Sequence, residues 1–228
     1  EAHTRRLWDY AFHIGSLTAT FFQGAILGAF IQGVKVQGRN FSGGAFDWVS
    51  GYSIMIGLAL IAGYALIGAT WLVMKTEDIT QQWARKSASY VLGFVGFFFV
   101  MVSIGMPLNY EYIQTLWFSK PIFYYLLPLP IITVGLFILL WRDLHHKKHE
   151  NRPFFSSIFI FLTAYIGLGV SIYPWIVPFK YTLWDAAASG PGLSLMLVGV
   201  IPLLPLILGY TGYCYYIFRG KSSHEHGY

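Results

Sequence analysis

Six long apolar segments constrain this sequence more than any other feature. Each is long enough for a helix that crosses the ~30 Å hydrocarbon core of a bilayer, which takes about 20 residues. They cover approximately residues 10–34, 50–74, 86–106, 121–141, 154–178 and 192–217. A backbone in lipid must satisfy its hydrogen bonds internally, so such segments are helices. The sequence therefore predicts an all-α fold, a polytopic membrane bundle of six transmembrane helices.

The composition agrees with this class. Hydrophobic residues make up 56% of the chain and charged residues 11%, whereas a soluble domain carries about 25% charged residues. The net charge of +5 does not indicate nucleic-acid binding, because the basic residues lie between the apolar segments rather than along one face. Cys214 is the single cysteine, which excludes an intrachain disulfide. We expect residues 1–228 to form one membrane domain that contacts lipid and no nucleic acid.

The distribution of lysine and arginine predicts the orientation. The connections are short, so neighbouring helices alternate in direction. One side of the bundle then carries eleven Lys and Arg residues, including Lys75 and Arg142, and the other side carries four, including Lys35. The positive-inside rule places the richer side in the cytoplasm. Both ends of this chain are therefore expected to be cytoplasmic. An even number of spans agrees, because it places both ends on the same side.

A stripe of polar residues runs along the first segment. Its members, spaced by 4, 3, 4 and 3 residues, are Asp9, His13, Ser16, Thr20 and Gln23. On a helix they fall within an arc of roughly 80° and climb about 21 Å. Because polar groups that face lipid lack partners, the stripe is expected to face other helices or water. Hydrogen bonding between helices is the favoured interpretation, and a proton or water path and a ligand site remain alternatives.

Small residues and prolines predict how the helices pack. Gly24 and Gly28, in the sequence GAILG, allow a neighbouring backbone to approach closely. Pro128 and Pro130 fall inside the fourth segment and predict a kink there.

Aromatic residues cluster near the ends of the second and sixth segments. Trp71 precedes a charged turn, and tyrosines occupy positions 210, 213, 215 and 216. Such rings are common in the belts at membrane interfaces. Contact of Trp71, Tyr210 and Tyr213 with a quinone tail or a lipid is the alternative interpretation.

The sequence lacks the ligand pattern of a haem carrier. A b-type haem in a helix bundle usually needs two axial ligands that face each other, yet His13 is the only histidine within a predicted span. The phosphate-binding Gly loop, the His-Glu-x-x-His motif and the Gly-x-Ser-x-Gly motif do not occur. We therefore predict no catalytic, cofactor-binding or metal-binding residue in this chain.

Several motifs together resemble one known family. The series begins with WDYAFHIGSLTATFFQGAILGAFIQG and continues with GGAFDW and GYALIGATWLVMKTE, then Gln81 and Arg85, and finally YPWIVP, TLWDAA and YTGYCYYIFRGK. In this order the whole chain resembles subunit II of the cytochrome bd type quinol oxidases, and most of all the cyanide-insensitive branch. The family usually has glycine after KTE, where this sequence has Asp78.

The resemblance implies a haem-free subunit of a quinol:oxygen oxidoreductase of the respiratory chain. In this family haems b and d and the quinol site belong to subunit I, and subunit II supports assembly and shapes routes for protons and oxygen. The implied partners are the haem-bearing subunit I and a small single-helix accessory subunit, in the bacterial cytoplasmic (inner) membrane.

The resemblance also implies a longer subunit. The family's subunit II has nine helices, so the six here correspond to the last six, about the C-terminal two thirds. An upstream motif of the Trp-Asp-Gly-Asn-Glu type, linked to proton uptake, is not in this sequence, and the chain opens with Glu1 rather than Met. A small polytopic transporter or channel component is the main alternative, because a polar stripe and proline-broken helices also fit a permeation path.

Overall fold

The computed structural model describes residues 2–38, 40–146, 148–218 and 220, with side chains from Thr4 onward. Within these residues the chain forms eight helices and two small hairpins. The helices are α1 Ala2–Gln32, α2 Gly51–Lys75, α3 Asp78–Asn109, α4 Glu111–Phe118, α5 Ile122–Leu126, α6 Pro128–His146, α7 Arg152–Ile172 and α8 Gly190–Ile217. The strands, each of two or three residues, are β1 Val36–Gln37, β2 Asn40–Phe41, β3 Trp175–Val177 and β4 Tyr181–Thr182.

Six helical spans are long and apolar enough to cross a membrane. This confirms the predicted all-α membrane fold. The fourth span, Ile122–His146, consists of α5 and α6, which are separated at Leu127 directly before Pro128. The interruption lies where the proline pair predicted a kink, since proline has no N–H to give to the preceding turn.

Several predicted boundaries were wrong. Helix α1 begins at Ala2 rather than near residue 10, and α6 ends at His146 rather than near residue 141. The third helix begins at Asp78 rather than near residue 86, so Arg85 lies about two turns inside α3 and not in a connecting loop. The fifth helix ends at Ile172, and residues 173–178 continue into a hairpin instead of the predicted span. Pro174 explains the end of the fifth helix, because a residue that precedes proline is disfavoured in the α conformation.

The two ends of the bundle differ, and we name them by their contents. The basic end holds the α2–α3 turn, the α6–α7 connection and the end of α8. The hairpin end holds β1–β2 and β3–β4, which are antiparallel pairs. The Tyr181 hydroxyl donates to the Gly38 carbonyl oxygen, and this bond joins the two hairpins.

Helices α1 and α2 pack at very short distance through glycine. A Cβ atom on Gly24 would lie 2.7 Å from the Ile56 carbonyl oxygen, and one on Gly28 would lie 2.6 Å from the Ser53 Cα. On α2, Gly57 meets the Phe21 ring and backbone in the same way. The close contact predicted for GAILG is thus made within this chain.

The apolar core lies between α2, α3, α6 and α7. Its largest fully buried side chains include Leu66, Leu140 and Ile160. A buried hydrogen bond of 2.9 Å joins the hydroxyls of Thr70 on α2 and Ser157 on α7. Such a bond between helices satisfies groups that lipid would leave without partners.

Helix α8 is attached differently, because none of its residues is buried. At the basic end the Tyr215 ring meets the Trp71 ring edge to face, with centroids 5.8 Å apart. The Lys75 ammonium donates to the carbonyl oxygens of Phe218 and Gly220 at 3.0 and 3.2 Å. These contacts tie the last turn of α8 to the last turn of α2.

The α1–α2 contact predicts a large effect of one added methyl group. Gly24→Ala and Gly28→Ala should each destabilise the folded protein by about 1–3 kcal/mol, the usual cost of overpacking, because the new Cβ meets α2 backbone. Gly15→Ala in the same helix is the matched control, since nothing lies within 4 Å of its added Cβ. Thermal unfolding of the protein purified in detergent measures the difference. Equal unfolding temperatures for all three variants would contradict the packing.

Candidate functional site

The predicted polar stripe lies on α1, and the rest of the chain leaves most of it uncovered. Asp9, His13, Ser16 and Gln23 are exposed, and Thr20 is half-buried. The Ser16 hydroxyl donates to the His13 carbonyl oxygen at 3.0 Å, a bond within its own helix. The stripe therefore faces away from the described helices over most of its length.

One member of the stripe reaches a second helix. The Tyr64 hydroxyl on α2 donates to Gln23 Oε1 at 3.3 Å, a long and therefore weak hydrogen bond. The Tyr64 ring stacks on the Phe161 ring of α7, with centroids 5.8 Å apart. Tyr64 thus adds a hydroxyl to the polar face, which sequence reasoning missed because it considered α1 alone.

The aromatic residues singled out from the sequence are only partly brought together. Trp71 and Tyr210 line a groove of about 260 Å³ between the basic-end halves of α2 and α8, together with Thr211, Cys214, Tyr215 and Phe218. Tyr213 is not among the lining residues and is 62% exposed. The groove, which we name the α2–α8 groove, is mostly apolar.

A cluster of charged groups at the basic end was not predicted. Arg85 on α3 is 4% exposed, and its guanidinium donates to the carbonyl oxygens of Asp143 and His149, each at 3.1 Å. The Asp143 carboxylate, also buried, forms an ion pair with Arg152, with Oδ2 and Nε 3.2 Å apart. Within the part of the chain that the structure describes, Arg85 Nε has no hydrogen-bond partner. Three helices and the α6–α7 connection therefore meet around one buried guanidinium.

Gln81 extends this cluster toward α2. Its Nε2 donates to the carbonyl oxygens of Val73 and Thr76, both at 3.1 Å, and to Glu150 Oε1 at 3.2 Å. The carbonyl of Val73 belongs to the last turn of α2, which leaves its final four carbonyls without partners in the helix. Gln81 therefore caps α2 and binds the α6–α7 connection at the same time.

The carboxylates at the hairpin end serve the loops. Hydrogen bonds from the Gly44 N–H and then from Lys35 lower the pKa of Asp47. Hydrogen bonds from the Thr182 hydroxyl and N–H lower the pKa of Asp185. Both groups are exposed, and both stay anionic around neutral pH, so they stabilise turns at the surface and do not extend the polar stripe.

The described histidines do not fit a haem. His13 is exposed on α1, His145 and His146 lie at the end of α6, and His149 lies in the α6–α7 connection. In the part of the chain that the structure describes, no three His, Cys, Asp or Glu residues come together as a metal site. A b-type haem needs an opposed pair of axial ligands, and these residues do not supply one.

Six apolar spans and a polar face at membrane depth define a polytopic helical membrane protein. Comparison with known sequences gives the family. The profile of the family described as cytochrome bd terminal oxidase subunit II matches residues 1–218. This chain therefore belongs to that family, a family of respiratory oxidase subunits, which confirms the resemblance seen in the motifs. The cyanide-insensitive branch stays a prediction.

Individual relatives extend over nearly the whole chain. The cytochrome bd-I ubiquinol oxidase subunit 2 of Escherichia coli K12 is 26% identical over 99% of this chain and 68% of its own length. The cytochrome bd ubiquinol oxidase subunit 2 of Bacillus subtilis is 24% identical over 96% of this chain and 65% of its own length. The chain thus spans about two thirds of the length of each relative.

The basic-end cluster predicts a strong effect of losing the Arg85 guanidinium. Arg85→Met should cost at least about 2 kcal/mol of stability, because a hydrogen bond from a charged group contributes about 1.5–3 kcal/mol. It should also speed tryptic cleavage after Lys148, since the His149 carbonyl loses its donor. Arg142→Met is the matched control, an exposed arginine beside Asp143. Unchanged unfolding and cleavage in Arg85→Met would show that the cluster does not hold the α6–α7 connection.

Proposed function

We propose that this chain is the haem-free subunit II of a quinol:oxygen oxidoreductase of the bacterial respiratory chain. The family match over residues 1–218 carries the proposal. In the proposed complex, haems b and d and the quinol site lie in a partner subunit I. The complex oxidises quinol and reduces oxygen to water. This chain supports assembly of the complex and shapes proton and oxygen access. A small single-helix accessory subunit completes the complex.

The residues support a role without a redox centre in this chain. The histidines described above lack an opposed ligand, and the buried charged groups Arg85 and Asp143 are engaged with backbone and with Arg152. Chemistry on oxygen therefore falls to the partner, while this chain contributes packing surfaces and polar groups at membrane depth. A transporter or channel formed by this chain alone would need a path enclosed within the chain, and the polar stripe is instead on its outside.

The orientation follows from charge. We place the basic end in the cytoplasm, since it carries most of the lysine and arginine residues. Reporter fusions after Thr76 and after His149 test this placement, and an outward signal from either fusion contradicts it.

The polar stripe has two proposed roles in this complex, and the first is packing against further protein. The second is a proton path. Asp9 lies nearest the basic end, and His13 is one turn deeper, with an imidazole ring whose two nitrogens can donate and accept hydrogen bonds. Beyond them, the side chains of Ser16, Thr20 and Gln23 can each donate and accept a hydrogen bond, so bridging waters would complete the path.

The proposed function is tested by purifying the complex through a tag on this chain. We expect a second subunit to co-purify and the reduced-minus-oxidised spectrum to show b-type and d-type haem. After the subunits are separated in a mild detergent step that retains haem, the pigment should follow the partner. A chain that purifies alone and without haem would favour the transporter or channel, and haem ligated by this chain would also overturn the proposal.

The two roles of the stripe are separated by His13→Phe and Asp9→Asn. If the stripe conducts protons, both variants slow oxygen uptake by the complex while haem content and complex yield stay at the wild-type level. His146→Phe, an exposed histidine at the end of α6, is the control and should change nothing. Activity that falls only in proportion to lost complex would show that the stripe serves packing alone.

A further inference from the structure

The α2–α8 groove has the composition of a site for a lipid chain. Its walls are formed by Trp71 on α2 and by a face of α8 that runs from Tyr210 to Phe218. Most of its accessible surface is apolar, and its volume is about 260 Å³. It lies within one turn of the basic end of α2, the depth at which tryptophan and tyrosine rings mark the boundary between headgroups and hydrocarbon.

The groove separates two helices that have little else to hold them together. None of the residues of α8 is buried, and its contacts with α2 at Trp71 and Lys75 lie at the mouth of the groove. Each empty space along such a seam forfeits dispersion contacts on both walls. An apolar chain inside the groove would therefore join α2 to α8.

Lys75 gives the mouth of the groove a positive charge. Its ammonium is 5.1 Å from the centroid of the Trp71 ring and donates to the carbonyl oxygens of Phe218 and Gly220. An ammonium has three donors, so one remains for a further acceptor. The positive charge at the mouth of the groove therefore favours an anionic group.

We propose that the α2–α8 groove binds one acyl chain of an anionic phospholipid whose phosphate contacts the Lys75 ammonium. The apolar walls suit the acyl chain, and the lysine at the membrane surface suits the phosphate, since basic residues beside a membrane attract anionic headgroups. A neutral isoprenoid tail would fill the same walls but would bring no anionic group to the lysine. The proposal requires only that the six helices span a membrane and does not depend on the proposed function.

Photolabelling of the native complex in lipid nanodiscs tests the proposal. The probes are phosphatidylglycerol and phosphatidylcholine with the same diazirine-bearing acyl chain, and adducts are mapped by mass spectrometry. We expect peptides that contain Trp71 and residues 210–218 to be labelled several-fold more by the phosphatidylglycerol probe. Lys75→Gln should abolish this preference. Lys86→Gln, an exposed lysine near the same end, should retain it.

A second variant tests the walls of the groove rather than its charge. Cys214→Trp fills the groove and should lower labelling of both peptides by both lipid probes. Equal labelling by the two lipids in the unmodified complex would overturn the proposal without any variant. A preference for the phosphatidylglycerol probe that survives in Lys75→Gln would also overturn the proposal. Labelling by a diazirine isoprenoid that excess phosphatidylglycerol does not compete away would assign the groove to a quinone-type tail, which also overturns it.

Discussion

The close contact between α1 and α2 determines which face of α1 the rest of the bundle leaves uncovered. Gly24 and Gly28 allow no larger side chain against α2, so they fix the rotation of α1 about its own axis. At 100° per residue, the centre of the two glycines lies roughly 80° around the helix from the centre of the polar stripe. The stripe is therefore held beside the α1–α2 seam and not inside it. This explains why Gln23 reaches Tyr64 while Asp9 and the other members stay uncovered.

A polar face that points out of the bundle is unfavourable in contact with lipid. Each polar group left without a partner in hydrocarbon costs several kcal/mol, whereas the exposed leucine, isoleucine and phenylalanine side chains of α3, α6 and α8 suit lipid without cost. About a third of the Escherichia coli relative lies outside the region that matches this chain. Its name gives it as one subunit of a larger enzyme. Covering the stripe with protein therefore lowers the free energy more than covering any other face of α1. This holds whether or not protons move along the stripe.

The sequence predicted the features that depend on local periodicity and on residue size. It did not predict the contacts between segments that are distant in the chain. The six spans and the GAILG contact follow from hydropathy and from the absence of side chains, which are local properties. Arg85 was placed in a loop because a charged residue beside an apolar run usually marks its end. In the folded chain the carbonyls of Asp143 and His149 satisfy it, and no local pattern reveals acceptors that lie about 60 residues away. Residues 173–178 were counted in the fifth segment from their apolarity, and the helix was expected to break at Pro174 and Pro178, but the pairing of Trp175 with Thr182 could not be predicted from these residues alone.

The two ends of the bundle are held together by different forces, and this decides which parts can adapt to a partner. At the basic end, hydrogen bonds from Arg85 and Gln81 fix the connections to helix carbonyls. At the hairpin end, the hydrogen bond from Tyr181 to Gly38 is accompanied by stacked rings such as Tyr110 and Phe179, which pack with less directional preference. Helix α8 belongs to the basic end through Lys75 and has no buried residue along its length. Its position is therefore fixed at one end, and its tilt depends on the protein or lipid that packs against it when the complex assembles.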